Sequence, residues 1–165
     1  MPAMVTLGGN PLTLAGTLPQ PGATAPDFDL VGADLGPITS ADLRGQRVVL
    51  NIFPSIDTGV CATSVRTFNE RAASLDNTTV LNVSADRPCA LGRFCGAEGI
   101  ENAKTGSTFR STFGEDYGVT MRDGILQGLL SRAVVVLDAD GVVLHAEQVP
   151  DIGQEPDYDA ALAVL

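Results

Sequence analysis

Apolar and polar positions alternate near the N-terminus: Val5-Thr6-Leu7, a break at Gly8-Gly9-Asn10-Pro11, then Leu12-Thr13-Leu14. A period of two interrupted by turn formers predicts a β-hairpin over about residues 4–15. Residues 16–26 hold Pro19, Pro21 and Pro26 with Gly16 and Gly22, which suits an extended surface connection. Phe28 to Val31 reads as a short strand, and Thr39 to Leu43 as a helical turn capped by Thr39 or Ser40. Arg47-Val48-Val49-Leu50-Asn51-Ile52-Phe53 is rich in β-branched and aromatic residues and stops at Pro54, the pattern of a buried strand. A helix follows from about Thr58 to Ser74, with Val65, Phe68, Ala72 and Leu75 spaced to cover one face. Thr78 to Val83 forms a second buried strand, and Pro88 opens another helix through Phe94 and Cys95, weakened at Gly92 and Gly96. Residues 99–131 are Gly-rich and irregular, with short helical turns near Phe109 and Phe113. Ala133 to Leu137 is the clearest strand, and Asp140-Gly141 turns it into Val142 to Val149 as a second hairpin. A closing helix runs from Pro156 or Asp157 to Leu165.

This order of elements predicts an α/β sandwich: a central mixed sheet, holding two hairpins, covered by helices on both sides. At 165 residues, with neither repeats nor low complexity, the chain reads as one domain over 1–165. A hydrophobic share of 44% supplies a real core and excludes a disordered chain, while three cysteines exclude a disulfide-dense scaffold. The net charge of −10 argues against nucleic acid or acidic lipid as partners. Met1 to Leu43 contains no Lys or Arg, so no secretory signal is legible, and no apolar run approaches the roughly 18 residues of a membrane span. The expectation is a cytoplasmic chain without membrane association, in whose reducing surroundings cysteines serve as reactive groups or metal ligands.

The informative stretch is Asn51 to Cys61, which sets Cys61 in the first turn of a helix just beyond a buried strand. Free N–H groups and the positive end of the helix dipole favour a thiolate there. A free thiol of pKa about 8.5 is only about 3% ionised at neutral pH, and lowering such a value to about 6 takes about 3.4 kcal/mol. A helix end supplies at most about 1–2 kcal/mol, so a second positive group is needed. Arg132, leading into the most hydrophobic strand, is the candidate. On local grounds alone, Cys61 also fits inert packing, Thr58 a helix cap and Pro54 a strand stop.

Pro54, Thr58 and Cys61 match the Pro-x-x-x-Thr/Ser-x-x-Cys signature of peroxiredoxins. The run Asn51 to Arg66, with Arg93-Phe94-Cys95-Gly96-Ala97-Glu98-Gly99, closely resembles the atypical two-cysteine thiol peroxidase branch of that family. The likeness extends from the N-terminal hairpin through Arg132 to Val136, then Glu155 to Tyr158 and the C-terminal residues. It implies a thioredoxin-like fold with an added N-terminal hairpin. It implies that Cys61 attacks the terminal oxygen of a hydroperoxide and becomes a sulfenic acid. Thr58 would hydrogen-bond the thiolate and the incoming peroxide, Pro54 would shield the sulfenic acid from water, and Arg132 would polarise the O–O bond. Cys95 would be the resolving cysteine, condensing with Cys61 into an intramolecular disulfide that a thioredoxin-like protein reduces. Closing that loop of about 34 residues removes roughly 4 kcal/mol of unfolded-chain entropy, which offsets the local unwinding expected near Cys61. No metal, haem or flavin is implied, and related enzymes pair as homodimers.

Cys89 departs from the family pattern, which has Phe there after Leu-Pro rather than Arg87-Pro88; it reads as a small apolar filler without a role in turnover. His145 reads as a solvent-facing strand residue, and Asp138, Asp140 and Asp151 as turn formers rather than a calcium loop. No cysteine pair has the spacing of a structural zinc site. The apolar Ile56, Val60, Leu129 and Leu130 near the motif make alkyl hydroperoxides plausible substrates, and their ranking above hydrogen peroxide is what the resemblance implies. Two alternatives stand beside a peroxidase: a disulfide oxidoreductase, against which Thr58 occupies the place of a Cys-x-x-Cys partner, and a non-catalytic redox sensor or metal-binding module on the same fold.

Overall fold

The computed structural model describes residues 2–72 and 74–165. A two-stranded antiparallel hairpin, β1 (Met4–Leu7) and β2 (Asn10–Thr13), precedes a seven-stranded mixed sheet. In that sheet β3 (Asp29–Val31), β4 (Pro37–Thr39), β5 (Arg47–Ile52), β6 (Thr78–Ser84), β7 (Lys104–Ser107), β8 (Ala133–Leu137) and β9 (Val143–Gln148) lie in the order β4-β3-β7-β6-β5-β8-β9. β5, β6 and β7 are parallel, while β8 runs antiparallel to β5 with Ile52 opposite Ala133. Four helices complete the fold: α1 (Gly59–Arg71), α2 (Pro88–Glu98), α3 (Phe113–Asp116) and α4 (Tyr158–Leu162).

The central strands have apolar side chains on both faces because both faces are covered. Val49, Val80, Val134 and Val136 pack against Phe68 and Ala72 at α1 and Ala161 of α4. Leu50, Ile52, Leu81, Val83 and Val135 point the other way, against Phe28, Phe113 and Tyr117. Phe113 and Tyr117 stack at 4.2 Å, and the buried Tyr117 hydroxyl donates to the Pro26 carbonyl at 2.8 Å. A third cluster joins α1 to α2 through Phe53, Ile56, Cys61, Val65 and Leu91, with Phe94 and Cys95 partly buried against it.

The mixed sheet, its flanking helices and the N-terminal hairpin match the sequence expectation. Two elements do not: β4 and β7, both of which pair with β3, arose where loops or a turn were expected. Lys104-Thr105-Gly106-Ser107 carries no β-branched run, yet Gly106 lets Leu30 close over it, a Cβ there standing 2.8 Å from Leu30 Cδ1. The hairpin break shrinks to Gly8-Gly9, and Pro11 enters edge strand β2 opposite Thr6. Ala41–Leu43 is a 3-10 turn with Ser40 at its N-cap position, whose side chain does not cap; Thr39 Oγ1, one residue earlier, accepts from the Asp42 N–H. Phe109 sits in a plain turn, half-exposed, rather than in a helical one. α1 ends at Arg71, so Leu75 is exposed instead of completing its apolar face, and residue 73 of the expected helix lies outside the described residues. The closing helix is one turn, Tyr158–Leu162, capped by Asp157, whose carboxylate accepts from the Ala160 N–H.

Candidate active site

β5 delivers the chain to Phe53-Pro54, and a loop then turns it into α1 so that Cys61 stands in the first turn, fully buried. Arg132 arrives from the opposite direction, immediately before β8, and is 2% exposed. The antiparallel pairing of β5 with β8 is what brings two residues so far apart in sequence to one end of the sheet. There Arg132 Nη2 lies 3.3 Å from Cys61 Sγ, while Nε donates to the Ile152 carbonyl at 2.9 Å. Arg132 Nη1 is buried and has no partner among the described residues. A guanidinium with a free, desolvated N–H beside a sulfur is a donor held ready for an incoming acceptor.

Arg132 lines a cavity of about 240 Å³ together with Leu7, Pro54, Thr58, Val60, Leu126, Leu129 and Ile152, and Cys61 is buried behind its guanidinium. Val60 and Leu129 were expected there. Ile56 and Leu130 were not placed correctly by sequence: Ile56 packs behind Cys61, and Leu130 belongs to the core below the sheet. Leu7, Leu126 and Ile152 take their places, Leu7 brought in by the N-terminal hairpin. Asp151 fastens that hairpin, accepting from the Thr6 hydroxyl at 2.8 Å and from the Gly153 N–H at 2.8 Å. These bonds, that of the Gly153 N–H foremost, hold the Asp151 carboxyl below its ordinary range. A larger cleft along Asp27–Val31 and Arg110–Thr112 contains neither Cys61 nor Arg132 and lacks their chemistry.

Thr58 is the N-cap residue of α1, but its side chain does not cap; the hydroxyl donates to the Ser55 carbonyl at 3.0 Å. The first-turn N–H groups of α1 are therefore left for other acceptors, and Gly59 and Val60 line the cavity. Asp86, unremarked in the sequence, anchors the loop below. Its carboxylate accepts from the Ser55 hydroxyl at 2.9 Å and from the Ile56 N–H at 2.8 Å. A second missed group lies under α1: Asn51 Nδ2 donates to Asn82 Oδ1 at 2.9 Å and to Ser64 Oγ at 3.2 Å, and Ser64 in turn donates to the Cys61 carbonyl at 2.8 Å. The sequence did carry a signal for it, since each Asn interrupts an otherwise apolar strand.

Cys95 is half-buried in the last turns of α2, and burial pushes its thiol above the usual range. It packs against the cluster that holds Cys61, and both thiols are free. Cys89 is exposed rather than packed as a filler, because Pro88 and Leu91 carry the buried face of α2. His145 is half-buried, not solvent-facing: the sheet pairs it with Val136, and its Nε2 is enclosed. Asp138 is a turn former as expected, accepting from the Asp140 and Val142 N–H groups. Among the described residues no group of three His, Cys, Asp or Glu is arranged to hold a metal, and no helix is long and apolar enough to cross a membrane.

A buried cysteine at a helix start thus stands beside a buried arginine at one end of a thioredoxin-like sheet. Residues 20–162 match the Redoxin family model. The chain is 60% identical over 163 residues to a thiol peroxidase of Mycobacterium tuberculosis, covering 99% of this chain and 98% of that one. It is 58% identical over 157 residues to a thiol peroxidase of Corynebacterium glutamicum, covering 95% of each. Among solved structures, a peroxiredoxin-like protein from Aquifex aeolicus superposes with a TM-score of 0.92 at 38% identity, covering 98% of this chain and 95% of that one. The chain belongs to the Redoxin family, among its thiol peroxidases.

Proposed function

We propose that this thiol peroxidase reduces alkyl hydroperoxides, and hydrogen peroxide less selectively, through attack of the Cys61 sulfur on the terminal peroxide oxygen. The observation that carries the reading is the 3.3 Å approach of Arg132 to Cys61 Sγ, with Arg132 itself lining an apolar cavity. In the reaction, sulfur gains oxygen to become a sulfenic acid, the O–O bond breaks, and the alkoxide takes a proton to leave as an alcohol. Charge moves from sulfur to the leaving oxygen, and the spare Nη1–H of Arg132 is the donor available to it. Thr58 assists once its hydroxyl turns from the Ser55 carbonyl toward sulfur or peroxide. Pro54, on the cavity wall, keeps water from the sulfenic acid. Leu7, Val60, Leu126, Leu129 and Ile152 offer the organic group an apolar seat, which supports the preference for alkyl substrates.

Cys95 then displaces hydroxide from the Cys61 sulfenic acid, and its thiol proton completes a molecule of water. The product disulfide is reduced by a thioredoxin-like dithiol protein, for which the groove of about 500 Å³ beside Cys95, bounded by Ala33, Ile38 and Gly92, offers an approach. The chain acts in the cytoplasm as a homodimer and without a bound cofactor. The test is consumption of cumene hydroperoxide with a thioredoxin system: Cys61→Ser abolishes it, and a Cys61→Ser protein with full turnover would sink the reading. Insulin reduction stays at background, which separates this function from a disulfide oxidoreductase.

A further inference from the structure

The disulfide step poses a mechanical problem, since Cys61 and Cys95 sit on separate helices. The last turn of α2 is built to come loose. Both the Gly99 and the Ile100 N–H groups end on the Cys95 carbonyl, closing the helix at the resolving residue itself. Gly99 caps the helix in the left-handed conformation at φ 66°, and Gly96, inside the turn, weakens it. Besides the apolar packing of Phe94 and Cys95 against the cluster shared with α1, one arginine ties this turn to α1. Arg66 donates from Nη2 to Glu98 Oε1 at 2.8 Å and from Nε to Glu98 Oε2 at 3.2 Å. Its guanidinium also lies 5.6 Å from the ring centroid of Phe94, the neighbour of Cys95. The same side chain thus grips the residue before Cys95 and the residue three after it. Their shared hydrogen bond raises the Arg66 pKa and lowers that of Glu98. A second and looser tie, Arg93 to Asp57 at 3.6 Å, holds α2 to the loop before α1.

We propose that Arg66 and Glu98 form a latch that holds the Cys95 turn in place and sets the rate of disulfide formation after Cys61 is oxidised. The proposal rests on the Cys61 and Cys95 roles given above. With the latch closed, the Cys61 sulfenic acid waits; when it opens, the turn unwinds and Cys95 reaches Cys61. The step forms one S–S bond, breaks the S–O bond of the sulfenic acid and releases water that carries the Cys95 proton. Opening lies within α2 in this scheme, in addition to the unwinding near Cys61 that the sequence suggests. A closed latch also lengthens the exposure of the sulfenic acid to a second peroxide, which would carry it to sulfinic acid. Arg66 and Glu98 are positioning residues, since neither touches the reacting sulfur.

The experiment follows the reduced, full-length protein after one equivalent of cumene hydroperoxide, with acid quenching at successive times and mass spectrometry of the Cys61–Cys95 disulfide. Glu98→Gln forms the disulfide about two- to fivefold faster, the scale of an exposed ion pair, while hydroperoxide loss in the first step keeps its wild-type rate. Under excess peroxide, the variant yields less sulfinic acid. Raising salt from about 0.01 M to about 1 M shortens the screening length from about 30 Å to about 3 Å and speeds the wild-type step, but moves Glu98→Gln less than half as much. The exchanged pair, Arg66→Glu with Glu98→Arg, keeps the ion pair without the Phe94 contact and slows disulfide formation back toward the wild-type rate. A Glu98→Gln rate equal to or below wild type, or an exchanged pair as fast as Glu98→Gln, overturns the latch. Should the wild type form no Cys61–Cys95 bond at all, the assignment of the two cysteines fails along with it, so the two failures are told apart by the wild-type protein alone.

Discussion

Replacing Arg132 by Met removes the one cation that touches the Cys61 sulfur while keeping a side chain of similar length in the buried site. Two unit charges about 4 Å apart interact by about 4 kcal/mol at an effective dielectric of about 20. Part of that attraction already exists before peroxide binds, and only the part that grows as charge reaches the leaving oxygen accelerates the reaction. Loss of one preorganised donor from a water-poor site typically lowers a rate by about 10²–10³, or about 2.7–4 kcal/mol. Arg132→Met is therefore expected to slow the reaction of reduced protein with cumene hydroperoxide by that factor. Stability changes less, because the unpaired Ile152 carbonyl, costing about 1–3 kcal/mol, is offset by a guanidinium no longer desolvated. Arg132→Lys keeps the charge but not the fork that serves Ile152 and Cys61 together, so it falls between the two. The assay is single-turnover loss of hydroperoxide, with the Cys61 thiol counted by alkylation at each time. If Arg132→Met reacts at the wild-type rate, the arginine is structural and the reasoning is refuted.

Four further outcomes are expected. Because burial raises the Cys95 thiol above the usual range, disulfide formation accelerates with pH beyond the point where an exposed thiol would level off, which quenched-flow measurements up to alkaline pH will read. The same shift works against the fold at high pH: stability is intact below the unfolded thiol's pKa and declines as pH rises through the folded one, a trend that Cys95→Ala removes from urea titrations. Asp151→Ala frees the hairpin, so amides of residues 4–13 exchange faster; in the wild type this clasp is intact above the ordinary carboxyl range and lost as pH falls through the lowered Asp151 value. Gly118→Ala destabilises by about 3 kcal/mol in urea unfolding, since φ is 70° and the new Cβ would lie 2.5 Å from the Thr17 nitrogen, a backbone atom that cannot swing aside.

The strands that build the site were legible because burial on both faces turns them into unbroken apolar runs, and Arg47 to Ile52 and Ala133 to Leu137 announce themselves. β7 was not, because its Lys-Thr-Gly-Ser composition is set by its neighbours: it pairs with β6, and Gly106 accommodates Leu30. The Cys61–Arg132 pair could be guessed from the need for a second cation, and the antiparallel β5–β8 register is what realises it. Asp86 escaped notice because its value lies in where the loop after β6 happens to end, under Ser55 and Ile56. The cavity wall shows the same limit: Leu7 reaches it because residues 150–152 hold the hairpin, through backbone bonds of Thr6 with Pro150 and Ile152 and through the Asp151 carboxylate, contacts between residues at opposite ends of the chain.

The central claim is that the sulfur of Cys61 cleaves the peroxide bond. It is tested most directly in Cys95→Ser protein, where the sulfenic acid persists: one equivalent of cumene hydroperoxide is added, followed by dimedone and peptide mapping. The account predicts a single dimedone adduct on Cys61, with Cys89 unmodified. An adduct on Cys89 while Cys61 remains a free thiol would contradict it.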